Sequence, residues 1–106
     1  MNDFTNILSQ AKKMQDKMKE VQDNIKKIEV EGSSGGNSVK VVLNGNYEMK
    51  SIFMDENTKK ENDQIKNDLI IAAYNDAKDK LKKKMSEEVS KATGVPNLPF
   101  DIKLPF

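Results

Sequence analysis

The chain of 106 residues has no cysteine, no histidine and no tryptophan, and each of its 18 basic residues is a lysine. Without cysteine there is no disulfide framework and no thiolate metal site, and nothing calls for an oxidising compartment. Without histidine as well, the common nucleophile–base pairs and most zinc sites are excluded. The adjacent carboxylates Asp55 and Glu56 lie beside Asn57-Thr58-Lys59-Lys60, without the spacing of a calcium loop. Tyr47 and Tyr74 fall in strand and helix patterns, where tyrosine usually serves packing. No enzymatic activity, metal, cofactor or small-molecule substrate is expected. The missing arginine argues against strong guanine recognition, which would rest on lysine alone. The opening MNDFTNILSQAKK lacks the pattern of a secretory signal, and no apolar run approaches the ~20 residues of a membrane span. A soluble, cytoplasmic protein is the expectation.

Charge is present in quantity but nearly balanced, at +1 overall. Its distribution is uneven. Residues 1–28 carry +2, residues 29–77 carry −4 and residues 78–106 carry +3. A partner near either basic end meets a local field that the net charge conceals.

Apolar residues fall at Phe4, Ile7, Ala11, Met14, Met18, Val21, Ile25 and Ile28, in alternating steps of three and four. This unbroken heptad pattern predicts a helix of about 25 residues, ~37 Å long, which needs a partner helix in the same chain or in another copy. The period then changes. IEVEG, SVKVVLNG and YEMKSIFMD read as three short strands, with Asn44-Gly45 as a hairpin signal between the second and third. The glycine-rich Gly32-Ser33-Ser34-Gly35-Gly36 connects the first two strands. It is no phosphate loop, since a strand rather than a lysine and a helix follows it. Residues 56–64 read as a polar loop holding the N-cap candidates Asn62 and Asp63. A second long helix follows, from about Gln64 to Ala92, with a stripe of Ile70, Tyr74, Ala77, Leu81 and Met85, and Gly94 and Pro96 end it. The expected architecture is α+β, in the order long helix, three-stranded antiparallel sheet, long helix (α-β-β-β-α). Residues 1–93 form the domain and residues 94–106 a proline-containing tail. Two long helices on one small sheet leave apolar surface uncovered, which favours a homodimer.

The second helix changes character along its length. LIIAAYNDA is apolar with small residues, and the next seven positions hold Lys78, Lys80, Lys82, Lys83 and Lys84. In the first helix, Lys12, Lys13, Lys19, Lys26 and Lys27 lie outside the heptad seam. Composition alone favours a solvated face supported by pairs such as Asp79 with Lys83. The sharper reading is a surface contacting phosphate, for which lysine serves as a mobile point charge.

AKKMQDKMKEVQDNI, IEVEGSSGGNSVKVVLNG, LIIAAYNDAKDK and GVPNLPFDIKLPF, in this order and spacing, resemble the YbaB/EbfC family of bacterial nucleoid-associated proteins over nearly the full chain. The resemblance implies a small, tweezer-like homodimer whose helices project from joined sheets and engage double-stranded DNA. It implies a role in nucleoid organisation or gene expression, in the cytoplasm. It makes Lys12, Lys13, Lys19, Lys26, Lys27, Lys78, Lys82, Lys83 and Lys84 the DNA-binding candidates, and assigns Leu69, Ile70, Ala73 and Ala77 to core or dimer packing. Two departures stand out. Met54-Asp55-Glu56 replaces the Ile-Asp-Pro turn frequent in the family, and the tail lacks the Pro-Gly pair common in relatives. The alternative is a coiled-coil-like protein–protein adaptor with an adaptable methionine surface (Met14, Met18, Met85) and no direct DNA function. Binding to anionic membranes is disfavoured by the acids mixed among the lysines and the absence of tryptophan.

Overall fold

The computed structural model describes residues 2–94; the expected tail, Gly94 apart, lies outside the described residues. Helix α1 spans Asn2–Lys26, strands β1, β2 and β3 span Glu29–Ser34, Val39–Asn44 and Met49–Met54, the one-turn helix α2 spans Glu56–Lys59, and α3 spans Asp63–Thr93. The strands form an antiparallel sheet in the order β1-β2-β3. The α-β-β-β-α order expected from the change in periodicity is therefore present, with one small helix added.

That helix lies inside the segment read as a polar loop. Asp55 caps it, accepting a hydrogen bond from the Thr58 amide at 2.8 Å, and Thr58 is buried. These hydrogen bonds from Thr58, with a smaller contribution from Ser38, hold the Asp55 carboxyl below its ordinary pKa. Four residues are too few to show helical periodicity, which is why the segment reads as a loop along the sequence. Asn62 caps α3 through a 2.9 Å bond from the Ile65 amide, whereas Asp63 already belongs to the first turn.

Two turns also differ from expectation. β1 continues through Ser34, so Gly32 and Ser33 are strand residues and the connection tightens to residues 35–38. The β2–β3 connection is longer than a two-residue Asn-Gly hairpin. The Asn44 side chain accepts from the Asn46 and Glu48 amides, and Tyr47, not Gly45, takes the left-handed conformation at φ 64°. Gly45 is needed for another reason: a Cβ there would collide with the carbonyl of Ile25 at the end of α1.

The core lies between α3 and the sheet. Val39, Val41 and Leu43 of β2 point toward α3 and are fully buried. From α3, Ala73, Ala77, Leu81, Met85 and Val89 are buried at every fourth position. α3 lies over β1 and β2 but not β3. Consequently Ile52, although paired with the buried Val41, is 48% exposed.

Of the eight heptad residues in the first helix, only Val21 and Ile25 are buried, Met18 and Ile28 are intermediate, and the rest are exposed. α3 is thus the partner helix for the last third of the seam alone. Every side chain from Asp3 to Lys17 is exposed, and the molecule measures 72 × 22 × 17 Å. α3 accounts for ~46 Å of that length at 1.5 Å per residue, so α1 projects well beyond it as an arm.

Candidate nucleic-acid interface

The nine candidate lysines occupy two groups. On α1, Lys12, Lys19 and Lys26 recur every seven residues, almost two helical turns, and so share one strip spanning ~21 Å. The strip lies on the side of α1 opposite the buried Val21, which turns it to solvent. Lys13 stands on an adjoining face and Lys27, expected in the first helix, lies in the turn that follows α1; all five are exposed. None of them forms an ion pair among the described residues, where the salt bridges are Lys59–Glu56, Lys66–Asp63, Lys80–Asp76 and Lys91–Glu88. Lys17, which the sequence reading passed over, is also exposed and unpaired on the same helix. Its signal was present in the run AKKMQDKMK.

The α3 group is divided by the fold. Lys78 and Lys82 are partly covered, beside the buried Leu81 and Ala77. Lys83 and Lys84 are exposed but line a shallow cleft with Lys80, Glu29, Glu31 and Glu87, where three glutamates offset three lysines. The structure therefore does not bring the nine lysines into one continuous patch. The acids that neighbour the strip on α1 are Asp16 and Asp23 of the same helix, one turn from its lysines and in no ion pair with them among the described residues.

Lys80 has a structural task. It pairs with Asp76 at 3.0 Å and donates to the carbonyl of Glu31 at 3.1 Å, while Asp76 also accepts the Ser33 amide at 2.9 Å. The Ser33 hydrogen bond, aided by Lys80, lowers the pKa of Asp76 below the ordinary carboxylate value. The α3 acid–lysine pair that reaches β1 is thus Asp76–Lys80, and Asp79–Lys83 is not among the ion pairs of the described residues.

Of the four residues assigned to packing, Ala73 and Ala77 are fully buried where α3 crosses Gly32 of β1, and Leu69 and Ile70 are partly buried against the core. A further feature of the fold is the exposure of β3. Met49, Ile52 and Phe53 are 44%, 48% and 52% exposed, and β3 forms one edge of the sheet. The sign of it was a strand that is apolar on both faces, with Ile52 and Met54 on one and Phe53 on the other.

Among the described residues no cluster of acidic side chains is arranged to hold a metal, and no helix is long and apolar enough to cross a membrane. A small sheet that carries a long helical arm with free lysines places the chain in the class of small α+β proteins presenting a basic helix surface. The model of the YbaB/EbfC DNA-binding family matches residues 1–95, and the chain belongs to that family. It is 45% identical to a nucleoid-associated protein of Paramagnetospirillum magneticum over the full length of both chains. A nucleoid-associated protein of Brucella ovis is 42% identical, again over all of both. One from Bartonella bacilliformis is 40% identical, over all of this chain and 99% of the relative. The family resemblance drawn from the four sequence segments is therefore correct. The chain is thus a member of a DNA-binding family, and these relatives of it are named nucleoid-associated proteins.

Proposed function

We propose that the protein is a homodimer that binds duplex DNA through phosphate contacts from helix lysines, in the nucleoid, with a part in nucleoid organisation or the control of expression. The observation that carries this reading is the strip of Lys12, Lys19 and Lys26, which is exposed, free of ion pairs and mounted on a projecting helix. Lysines held in this way neutralise phosphates and release counterions without reading base edges, so binding is weakly sequence-selective. If about four lysines make contact, log K falls with log salt at a slope of about −3.6. Mobility-shift titrations of a short duplex at several salt concentrations measure the slope. A salt-independent shift, or none at low salt, overturns the proposal.

The dimer is supported by β3. Among the described residues its outer edge has no neighbouring strand, and Met49, Ile52 and Phe53 are exposed apolar side chains. Edges of this kind invite pairing with another strand, and a two-fold axis beside β3 joins two sheets and covers the same residues on both copies. Replacing Ile52 with lysine puts charge into that contact, while α3 and the core stay intact because α3 does not cover β3. Light scattering of Ile52→Lys is expected to give the mass of one copy where the native chain gives two. A variant that remains dimeric moves the interface elsewhere.

A further inference from the structure

The exposed part of α1 carries a second feature beside its lysines. Phe4, Ile7, Leu8 and Met14 are 65%, 62%, 55% and 52% exposed, and with Ala11 they form an apolar stripe that nothing covers among the described residues. Single exposed hydrophobics need no explanation, but a contiguous stripe marks a contact surface. We propose that this stripe packs antiparallel against the same stripe on a second copy of the chain.

The same face of α1 already packs on a helix within one copy. The buried Val21 continues the positions of Ile7 and Met14, the buried Ile25 continues those of Phe4 and Ala11, and the half-buried Gln22 stands two heptads after Leu8. The neighbour there is α3, running the other way. Ile25 and Met85 line one cleft, and Val21 and Val89, each a turn farther from the sheet, are both buried. Eight residues out from Ile25 and Met85 are Lys17 and Thr93, so the end of α3 is level with Lys17. From Asp3 to Lys17 no helix lies beside α1 among the described residues. A helix of about 15 residues is marginal in water unless its apolar face is packed.

The bare stretch is complementary to itself. With a two-fold axis at the level of Ser9, Phe4 packs on the partner's Met14 and Ile7 on the partner's Ala11, and symmetry repeats both layers. An aromatic ring meets a thioether, and a large side chain meets a small one. On one flank Asp3 meets the partner's Lys17, and neither residue forms an ion pair among the described residues. On the other flank Leu8 meets the partner's Leu8, which accounts for an exposed apolar residue one step outside the seam. Parallel arms would instead set Asp3 against the partner's Leu8, so the flanking residues select the antiparallel direction. A shift of one heptad loses the Asp3–Lys17 pair and draws on Met18, which is already partly covered. Lys12 stands one turn from Leu8 on the same side, so the strips of Lys12, Lys19 and Lys26 from both copies border the seam without entering it. An overlap of ~21 Å is shorter than the arms themselves and makes a small interface, which forms at high protein concentration or between copies already held together.

The chain has no cysteine, so single cysteines placed on α1 of the full chain test the contact with a short bismaleimide cross-linker. At high protein concentration Leu8→Cys is expected to couple between copies, and Ser9→Cys, on the outer face, is not. In a mixture, Asp3→Cys is expected to couple with Lys17→Cys and neither variant with itself, which fixes the direction. Adding Ile7→Ser/Met14→Ser to Leu8→Cys should lower coupling about tenfold by removing apolar contact. Both side chains are exposed in a single copy, so its fold stays intact. Leu8→Cys is expected to couple in an Ile52→Lys background as well, which separates failure of this contact from failure of the β3 pairing. No coupling of Leu8→Cys, coupling of Asp3→Cys with itself, or coupling unchanged by Ile7→Ser/Met14→Ser overturns the inference. A stripe shielded from solvent without coupling overturns it too, and assigns the stripe to another occupant.

Discussion

Reversing Lys12, Lys19 and Lys26 together to glutamate is expected to lower duplex affinity by roughly 500-fold at 0.1 M salt, since each phosphate contact contributes about 0.9 log units relative to 1 M salt. The salt slope should flatten at the same time, from about −3.6 toward −0.9, because three of about four counterion-releasing contacts are removed. All three side chains are exposed on a helix and unpaired. Glutamate and lysine have similar helix propensities, but the reversal creates like-charge neighbours with Asp16 and Asp23, so circular dichroism of the variant checks that α1 is intact. Lys12→Gln/Lys19→Gln/Lys26→Gln separates lost contact from added repulsion, and its slope should flatten equally. Reversal at Lys40 and Lys50, which sit on β2 and β3 away from the arm, should change affinity much less. Fluorescence anisotropy of a labelled duplex checks each variant. A larger loss on reversing Lys78, Lys82 and Lys83 would move the contact from α1 to α3.

Gly32→Ala is expected to be the most damaging small substitution in the chain. A Cβ at Gly32 would strike the backbone nitrogen of Ala77 and the backbone oxygen of Ala73, and would meet the Ala77 Cβ at 2.6 Å. None of these atoms can swing aside, so α3 must lift from β1. Overpacking of this kind typically costs 1–3 kcal/mol or more, and here we expect about 3 kcal/mol. For a domain of this size that corresponds to a fall of about 15 °C in melting temperature. The displacement also lengthens the Ser33–Asp76 and Lys80–Glu31 hydrogen bonds, which tie the same crossing. Gly36→Ala is the control. Its φ of 62° costs only about 1–2 kcal/mol of backbone strain, and a Cβ there meets nothing within 4 Å. Thermal unfolding followed by circular dichroism compares the two, and equal melting temperatures would show that α3 can move off β1 without cost.

Much of this fold can be read along the chain, because its elements are long or well punctuated. The three-four spacing from Phe4 to Ile28 specifies a helix, the valines of VKVVL a strand, and Asn62 and Gly94 the two ends of α3. The family, and with it the DNA-binding class, is legible in four segments whose order is preserved. The same sequence could not show how the heptad seam is used. Ile7 and Val21 have equivalent positions in the pattern, yet one is 62% exposed and the other 1%. Periodicity records which residues share a face, and only packing decides how much of that face meets another element.

The lysines divide in the same way. Their number, their helical placement and the absence of arginine were properties of the sequence alone. That Lys80 is bound to Asp76 and Glu31, that Lys83 and Lys84 stand among Glu29, Glu31 and Glu87, and that Lys12, Lys19 and Lys26 stand free were decided by where α3 crosses β1 and by how far α1 outruns it. A charge's local dose is set by what folds against it, and residues 43 to 55 positions apart in the chain are neighbours only because Gly32 lets a helix lie directly on a strand. Sequence determined the elements and the kind of charge; tertiary contact determined which charges and which apolar residues remain available to a partner.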